Sequence, residues 1–367
     1  MDKDRVSIEQ SALLLMLVIA GGKFLSLPSI LASEVGHDSW LVMCFSFLWD
    51  FICLCFLLWA IKLNKNTKLS VDRVLSDTLS KIGCKVIMAI FFVLYVCRAL
   101  VLLSSGYRMF AVTFDVNTNW IAFVLPVVAL CVFCLWRGFN SVARASQLLF
   151  GLIVISVVAL LANALIETKW TQLLPIAEVG WGKILKTSYL RSFWFSDYIF
   201  VYFLLDKIEV KKHVYLPMLS VFFAGALLTL LLNAIFVSIY GSYAPLADLA
   251  MSKVGIFSLG ESASGRWDWL TLSVWIMSVI LKIVVFFYCA YKSAEKIFEF
   301  SPSKINLITV VVLTMLMLTP MFVSSEQFVE KFVNNCIVPF SAVQFALPLV
   351  YPFLLNAAKR KQEKKLQ

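Results

Sequence analysis

The sequence is poor in charged residues. Only 15% of its 367 residues are Asp, Glu, Lys or Arg, whereas 61% are hydrophobic. A soluble globular protein of this size does not have that balance, so the composition excludes this class and predicts a protein that crosses a membrane several times. The leading residues MDKDR carry balanced charge, and the first apolar segment lacks a small-residue cleavage site. A signal peptide is therefore not expected.

Residue patterns typical of catalysis or metal binding are also missing. There are two histidines, His37 and His213, predicted near opposite membrane edges, and no HExxH, P-loop or GxSxG motif. The nine cysteines lie within or at the edges of apolar runs, which implies no disulfide framework. Cys131 and Cys134 form a CxxC without other ligand types nearby and are interpreted as small buried residues. We expect neither an enzyme nor a bound cofactor or metal.

The net charge of +10 reflects topology rather than nucleic-acid binding. With the N-terminus placed inside, the inner segments carry most of the Lys and Arg, including the cluster from Lys62 to Lys85 and five in the tail. The outer segments carry six: Lys169, Lys183, Lys186, Lys253, Arg266 and Lys331. This positive-inside bias predicts that both termini are cytoplasmic.

The hydrophobic residues group into ten segments of about 20 residues each, the length that a membrane-spanning helix needs. They form one integral membrane domain over 1–367, with spans predicted at 9–33, 39–61, 86–113, 119–136, 145–166, 188–205, 214–240, 269–291, 305–324 and 334–357. The inner loop 62–85 has apolar residues at helical spacing and predicts a short amphipathic helix at the membrane surface. The outer loop 241–267 is long and apolar, which favours a packed lid.

Five charged residues fall deep inside predicted spans. Each costs about 2.5–3.5 kcal/mol on insertion scales, so each requires a partner or a function. One interpretation is a set of interior ion pairs that hold the helices in register. Arg108 and Arg191 lie nearer the span edges, where their side chains could snorkel to the interface. The five are Lys23, Asp50, Arg98, Asp197 and Lys282.

The stretch GGKFLSLP interrupts the first span. Gly21 and Gly22 tolerate unusual backbone dihedrals and Pro28 lacks an amide hydrogen, so the helix is predicted to unwind around Lys23 and restart near Phe24. The restarted helix would direct its free N–H groups and positive dipole end into the protein at mid-membrane, where they could receive a carboxylate. The alternative is a glycine-rich kink that serves only close helix packing.

Three stretches of the sequence, found in this order along the ten predicted spans, resemble one known family. The first is GGKFLSLPSILASEVGHDSW, with glycines, an LP pair and an Asp-x-Trp: Gly21, Gly22, Leu27, Pro28, Asp38 and Trp40. The second is GRWDWLTLSVWIMSVILKIVVFFYCA, with Arg266, Asp268 and Trp275. The third is SFWFSDYIFVYFLLDKIEVKKH, with an acidic residue, Asp197, ahead of a basic loop. Together they resemble the B subunits of bacterial spore germination receptors, in the spore permease family of the amino acid–polyamine–organocation superfamily.

The resemblance implies an all-α LeuT-type fold, with two inverted five-helix repeats and broken spans 1 and 6 around a small-molecule site. It implies a nutrient-sensing subunit in the spore inner membrane that works with an A subunit and a lipoprotein C subunit. A secondary amino-acid transporter of the same fold is the alternative. In span 6, Trp194, Phe195 and Ser196 stand where that family often has a glycine, which implies either an unbroken span or a smaller, more aromatic pocket.

Facing breaks in spans 1 and 6 would bring Lys23 close to Asp197, where a ligand carboxylate could compete for Lys23. The expected ligand-binding residues are Gly21, Gly22, Lys23, Phe24, Phe193, Trp194 and Asp197. Structural or coupling roles are expected for Asp50, Arg98, Arg266, Asp268, Trp275 and Lys282. Arg266 and Asp268 are expected to pin the outer loop to the bundle.

Overall fold

The computed structural model describes residues 6–113, 119–209, 214–247, 250, 268–299, 315, 318–319 and 326–366. Nearly all of the regular structure in them is helical. The helices are α1 (Ile8–Ala20), α2 (Leu27–Val35), α3 (Ser39–Asn64), α4 (Val71–Thr78), α5 (Lys81–Thr113), α6 (Trp120–Arg137), α7 (Phe139–Ala164), α8 (Trp181–Leu190), α9 (Tyr215–Tyr240), α10 (Asp268–Phe298), α11 (Glu326–Asn335), α12 (Ile337–Ser341) and α13 (Leu347–Leu366). Two short strands, β1 (Val6–Ser7) and β2 (Ile208–Glu209), complete the elements used below.

Seven helical segments among these residues are long and apolar enough to cross a membrane. They are Leu27–Asn64, Lys81–Val112, Trp120–Arg137, Phe139–Ala162, Tyr215–Leu246, Ile276–Phe298 and Ile337–Glu363. Predicted spans 1 and 6 are not among the seven as single helices because each is divided, and the second half of span 1, α2, is counted together with α3 in Leu27–Asn64. Predicted span 9, at 305–324, lies almost wholly outside the described residues. The chain is thus an all-α membrane protein, and the count of ten spans stays a prediction.

Span 1 is broken, as predicted. Helix α1 ends at Ala20 and α2 begins at Leu27, so the break spans six residues and the second half starts three residues later than the predicted Phe24. The reason is local: Pro28 occupies the first turn of α2, a position that favours proline because its fixed φ suits a helix start and its missing N–H is not required there.

Span 6 is broken as well, although it lacks the expected glycine. Helix α8 ends at Leu190, the chain passes through a 3₁₀ turn at Ser192–Trp194, and a 3₁₀ helix then runs over Asp197–Leu204. Between them Ser196 adopts the left-handed conformation, with φ 60° and ψ 35°. The first half of the span begins at Trp181, whereas the prediction placed it at 188. The prediction missed these residues because their lysines and small polar residues lower the hydropathy of the segment.

The two broken spans lie at the centre of the bundle. Helix α1 packs against α7, α9 and α10, and the 3₁₀ helix of span 6 packs against α1, α3 and α10. At one end of the bundle, β1 pairs in parallel with β2, with Val6 opposite Ile208. The residues that precede span 1 are therefore hydrogen-bonded to those that follow span 6, which joins the two broken elements at one end.

The inner loop contains the predicted amphipathic helix in shortened form. Helix α4 buries Val71, Val74 and Leu75 and packs between α5 and α13. The expected apolar stripe does not extend further, because Leu79 and Ile82 are exposed and Ile82 belongs to α5. The helix is thus packed against the bundle through its contacts with α5 and α13.

Candidate functional site

The break in span 1 depends on two glycines for different reasons. Gly22 has φ 92°, a left-handed conformation, and a Cβ there would lie 2.5 Å from Cδ2 of Leu102. A Cβ on Gly21 would lie 3.0 Å from the backbone oxygen of Ser278 in α10. Glycine is required because one position needs positive φ and the other needs close approach of two backbones. Close packing and the helix break are therefore both present here.

The Lys23 side chain turns into the protein and is fully buried. Its ammonium contacts Asp197 Oδ2 directly and donates a hydrogen bond to the carbonyl of Ile19 at 3.2 Å. The rings of Phe47 and Phe195 lie 5.7 and 5.5 Å from the ammonium. The predicted proximity of Lys23 to Asp197 is confirmed, and aromatic faces supply part of the stabilisation that water would supply elsewhere.

Asp197 also contacts two further basic side chains, which belong to other helices. Its Oδ2 accepts a hydrogen bond from Lys282 Nζ of α10 at 3.0 Å. Its Oδ1 lies 3.8 Å from Nη1 of Arg98 on α5. All of these side chains are at least 96% buried, in a region of low dielectric where charges interact strongly. Asp197 is thus the common counter-ion of spans 1, 3 and 8.

Asp50 does not join this ion pair network but holds the break of span 6. Its Oδ2 accepts a hydrogen bond from the Ser196 amide at 2.8 Å, and its Oδ1 accepts one from the Ser196 hydroxyl at 3.0 Å. The Arg98 guanidinium donates from Nη2 to the Phe195 carbonyl next to it. The backbone groups freed by the break are thereby hydrogen-bonded to buried charges from α3 and α5, as buried polar groups require.

Three basic side chains, Lys23, Arg98 and Lys282, surround Asp197, and Asp50 lies beside them through its hydrogen bonds to Ser196. If all are ionised, one positive charge is in excess. The Nε and Nη1 atoms of Arg98 have no hydrogen-bond acceptor among the described residues. A buried cluster with surplus cations and unused donors is suited to receive an anion. We call these five residues the ionic cluster.

A cavity of about 320 Å³ lies next to the ionic cluster, on the side of the bundle where α2 connects to α3. The predicted residues Phe193 and Trp194 line both this cavity and a small void that reaches Arg98, Asp197 and Lys282. The remaining lining is rich in hydroxyl groups: Ser26, Ser29, Ser33, Ser104 and Ser105. Ser26 is the residue before α2, so the N-terminus of this half-helix faces the cavity. A small polar molecule fits this lining.

Arg191 forms a bridge at the edge of the cavity. Its Nε donates to Oε1 of Glu34 on α2 at 2.8 Å, and its Nη2 lies 2.6 Å from Oε1 of Glu330 on α11. Arg191 is therefore held by two acidic partners that are distant in sequence. Whether its side chain also reaches the membrane interface stays a prediction. Sequence reasoning missed both Glu34 and Glu330; only Glu34, about two helical turns beyond the break of span 1, carried a usable signal.

Four of the predicted residues remain: Phe24, Arg266, Asp268 and Trp275. Phe24 is buried in the break of span 1. Asp268 and Trp275 belong to the first turns of α10, and Arg266 is outside the described residues, so the proposed pinning of the outer loop stays a prediction. Asp38, noted only as part of a motif, is buried and accepts hydrogen bonds from the amides of Ala177 and Val179. It fixes the segment that leads into span 6.

Comparison with known proteins gives a family assignment. The sequence model of one family, described as spore germination protein, matches residues 5–329. The chain belongs to this spore germination protein family. The match covers both broken spans and all five members of the ionic cluster. No curated protein matches the chain.

Among solved structures, the chain is similar to one described as the substrate-bound outward-open state of a Na⁺-coupled sialic acid symporter. The similarity covers 94% of this chain and 79% of that chain, with a TM-score of 0.61 and 12% sequence identity. This likeness shows the fold, a LeuT-type arrangement with broken spans 1 and 6. The spore germination protein family and the transporter fold together indicate a germination-related, permease-like role in a membrane.

Proposed function

We propose that this protein is the B subunit of a nutrient-germinant receptor and that the ionic cluster receives the carboxylate of a small germinant, an amino acid or a similar nutrient. The observation that carries the proposal is the gathering of three buried basic side chains, Lys23, Arg98 and Lys282, around the single carboxylate of Asp197 between the two helix breaks, beside a cavity lined with hydroxyl groups. A buried cluster of this kind favours an anionic ligand group, which would balance its charge.

Binding is proposed to move span 6. Lys23 and Lys282 share Oδ2 of Asp197, so a ligand carboxylate that takes one of these ammonium groups weakens the hold on Asp197. The N-terminus of α2 adds a favourable dipole for the same carboxylate. Because Asp197 directly follows Ser196, any shift of its side chain acts on the break of span 6. The ligand can bias this movement only through its unequal contacts in the two states.

We further propose that the receptor works in the spore inner membrane with an A subunit and a lipoprotein C subunit, with both termini of this chain on the spore core side. A secondary amino-acid transporter is the second candidate, and the transporter fold favours it. The two differ in turnover, because a sensor binds without moving its ligand across the membrane.

The decisive experiment measures ligand binding to the purified chain in nanodiscs. A panel of amino acids is compared with the corresponding amides, which lack the carboxylate, by thermal shift and calorimetry. Lys282→Met removes one of the three basic side chains around Asp197 and is expected to weaken binding of any hit at least about tenfold, roughly 1.4 kcal/mol. Lys292→Met, on the same helix and paired with Glu295 outside the ionic cluster, is the matched control and should bind as the wild type does.

Three results bear on the proposal. Equal binding of acids and amides, or equal affinity in Lys282→Met and the wild type, would exclude the ionic cluster as the carboxylate site. Uptake of a bound compound into proteoliposomes would favour the transporter. Binding without uptake, together with a changed germination response in spores that carry Lys282→Met, would support the receptor.

A further inference from the structure

A second cavity lies on the opposite side of the turn that precedes the break of span 6. Its volume is about 440 Å³, within the range of ligand pockets, roughly 300–1,000 Å³. It is bounded by α3, α8 and the π-helix Ala342–Ala346 that joins α12 to α13. The residues that line it are Ser46, Trp49, Leu185, Ser188, Tyr189, Ser192, Phe195 and Phe345. We call it the lateral crevice.

The turn from Ser192 to Phe195 is a thin wall between the two cavities. Phe193 and Trp194 line the cavity beside the ionic cluster, whereas Ser192 and Phe195 line the lateral crevice. Phe195 packs edge-on against Phe47, with ring centroids 5.3 Å apart, and its carbonyl accepts the hydrogen bond from Arg98. Any molecule in the crevice therefore lies beside Phe195, the residue that directly precedes the break at Ser196.

The crevice opens at membrane depth. Trp49 lies about 10 residues into α3, roughly 15 Å from its start at a rise of about 1.5 Å per residue, and its side chain is 49% exposed. Leu185, in the outer half of span 6, is 48% exposed. Half-exposed apolar side chains at this depth face the hydrocarbon of the bilayer rather than water.

The polar groups in the lining are mostly satisfied within the protein. The hydroxyls of Ser46 and Ser188 lie 2.9 Å apart and bond to each other, and Ser46 also donates to the Val42 carbonyl. The Tyr189 hydroxyl lies 3.2 Å from that of Ser341. Among the lining hydroxyls only that of Ser192 has no partner in the part of the chain that the structure describes. The surface offered to an occupant is therefore largely apolar.

From this geometry we propose that an acyl chain of a bilayer lipid occupies the lateral crevice and packs against Phe195. The occupant enters from the membrane, since the mouth is there, and it is apolar, since the described residues of the wall offer one unpartnered hydroxyl, that of Ser192. By filling the space behind Phe195 it supports the turn that carries Phe193 and Trp194. The lipid environment is thereby linked to the cavity beside the ionic cluster, independently of which ligand binds there.

The test uses the purified full chain in nanodiscs of phosphatidylglycerol, a fraction of which carries a diazirine near the middle of one acyl chain. After irradiation, labelled positions are mapped by mass spectrometry. We expect labelling at Trp49, Leu185 and Tyr189 to exceed, several-fold per residue, that on the lipid-facing surface of α7 at Leu148 and Ile155. Equal labelling on the two surfaces would overturn the proposal.

Ser188→Phe fills the lateral crevice and leaves Ser46 bonded to Val42, so labelling in the crevice should fall several-fold while α7 is labelled as before. Leu152→Phe, an exposed position on α7, is the matched control and should change neither. If Ser188→Phe does not fold, Leu185→Trp fills the crevice from its half-exposed side. If a variant with a filled crevice folds and the crevice residues are still labelled, the lipid acyl chain does not occupy the crevice.

Discussion

At the scale of single residues, the charges of the ionic cluster have unequal importance. Asp197 faces Lys23, Lys282 and Arg98, whereas each of these cations has at least one other contact: Ile19 for Lys23, Phe195 for Arg98 and the ring of Phe286 for Lys282. Loss of the shared partner therefore leaves three cations close together. Loss of one cation still leaves Asp197 with two basic partners.

This asymmetry predicts that Asp197→Asn destabilises the protein more than Lys23→Ala. Removing one partner of a buried pair costs about 3–5 kcal/mol, and we expect Asp197→Asn to reach this range because it also leaves like charges opposed. Lys23→Ala should cost less, since Lys282 still pairs with Asp197. The melting temperature and the monodisperse fraction of the purified variants measure the difference.

The double variant tests whether the two residues interact. Lys23→Ala combined with Asp197→Asn should be milder than the sum of the single changes, both in stability and in the concentration of germinant that triggers a response. Subunit levels in spores are checked by immunoblot. Strictly additive effects would mean that the contact between Lys23 and Asp197 contributes nothing.

A second residue-scale prediction concerns Ser196. Its left-handed conformation costs an L-residue about 1–2 kcal/mol, and its hydroxyl donates to Asp50. Ser196→Ala keeps the backbone strain and loses the hydrogen bond, whereas Ser196→Gly loses the hydrogen bond but relieves the strain. The glycine variant should therefore be the more stable of the two by about 1 kcal/mol in thermal unfolding. An alanine variant of equal or greater stability would contradict this account of the break.

At the scale of elements, the two breaks are built differently. Span 1 uses Gly22, whose positive φ and contact with Leu102 admit no side chain. Span 6 uses Ser196, whose amide and hydroxyl are both held by Asp50 from α3. The first break is thus encoded locally, and the second is stabilised by a neighbouring helix.

Gly22→Ala is accordingly expected to destabilise the protein by about 1–3 kcal/mol, the cost of a non-glycine residue held in a sparsely populated conformation, plus the clash with Leu102. Gly182→Ala is the matched control. Gly182 lies in the first turn of α8, and no heavy atom lies within 4 Å of the position that an alanine methyl group would occupy there. Alanine at this position should therefore be neutral or stabilise the protein by up to about 1 kcal/mol. Thermal unfolding of both variants in detergent compares them; equal melting temperatures would show that the break tolerates a side chain.

At the scale of the whole molecule, the two ends of the bundle differ. On the side of the α2–α3 connection there is the hydroxyl-lined cavity, bridged at its edge by Arg191. On the opposite side, Asp72 of α4 pairs with Lys296 of α10 at 2.9 Å, and Lys361 of α13 donates to the Asp77 carbonyl. The β1–β2 pairing lies at this same end. The end of the bundle that contains α4 is therefore stabilised by contacts among several elements.

The orientation of these ends is predicted by the positive-inside bias of the loops. Reporter fusions at Gln367 and within 206–212 should report a cytoplasmic location, and a fusion within 250–262 an external one. This arrangement places the cavity on the outer face of the membrane. An external C-terminus would mean that one span has been miscounted.

Much of this architecture could be predicted from the sequence because its signals are local. Long apolar runs, the glycines of GGKFLSLP and the positions of isolated charges can each be recognised from neighbouring residues alone. They predicted the membrane class, the break in span 1 and all five members of the ionic cluster.

Only the tertiary structure decided how those charges are partnered. Lys23 and Asp197 are 174 residues apart, and Asp50 bonds to Ser196 instead of a lysine. The break in span 6 also depends on the tertiary structure. No glycine marks it in the sequence, and the Asp50 carboxylate of α3 stabilises the open backbone through its hydrogen bonds to Ser196. The cause of this break therefore lies in the packing of helices rather than in the local sequence.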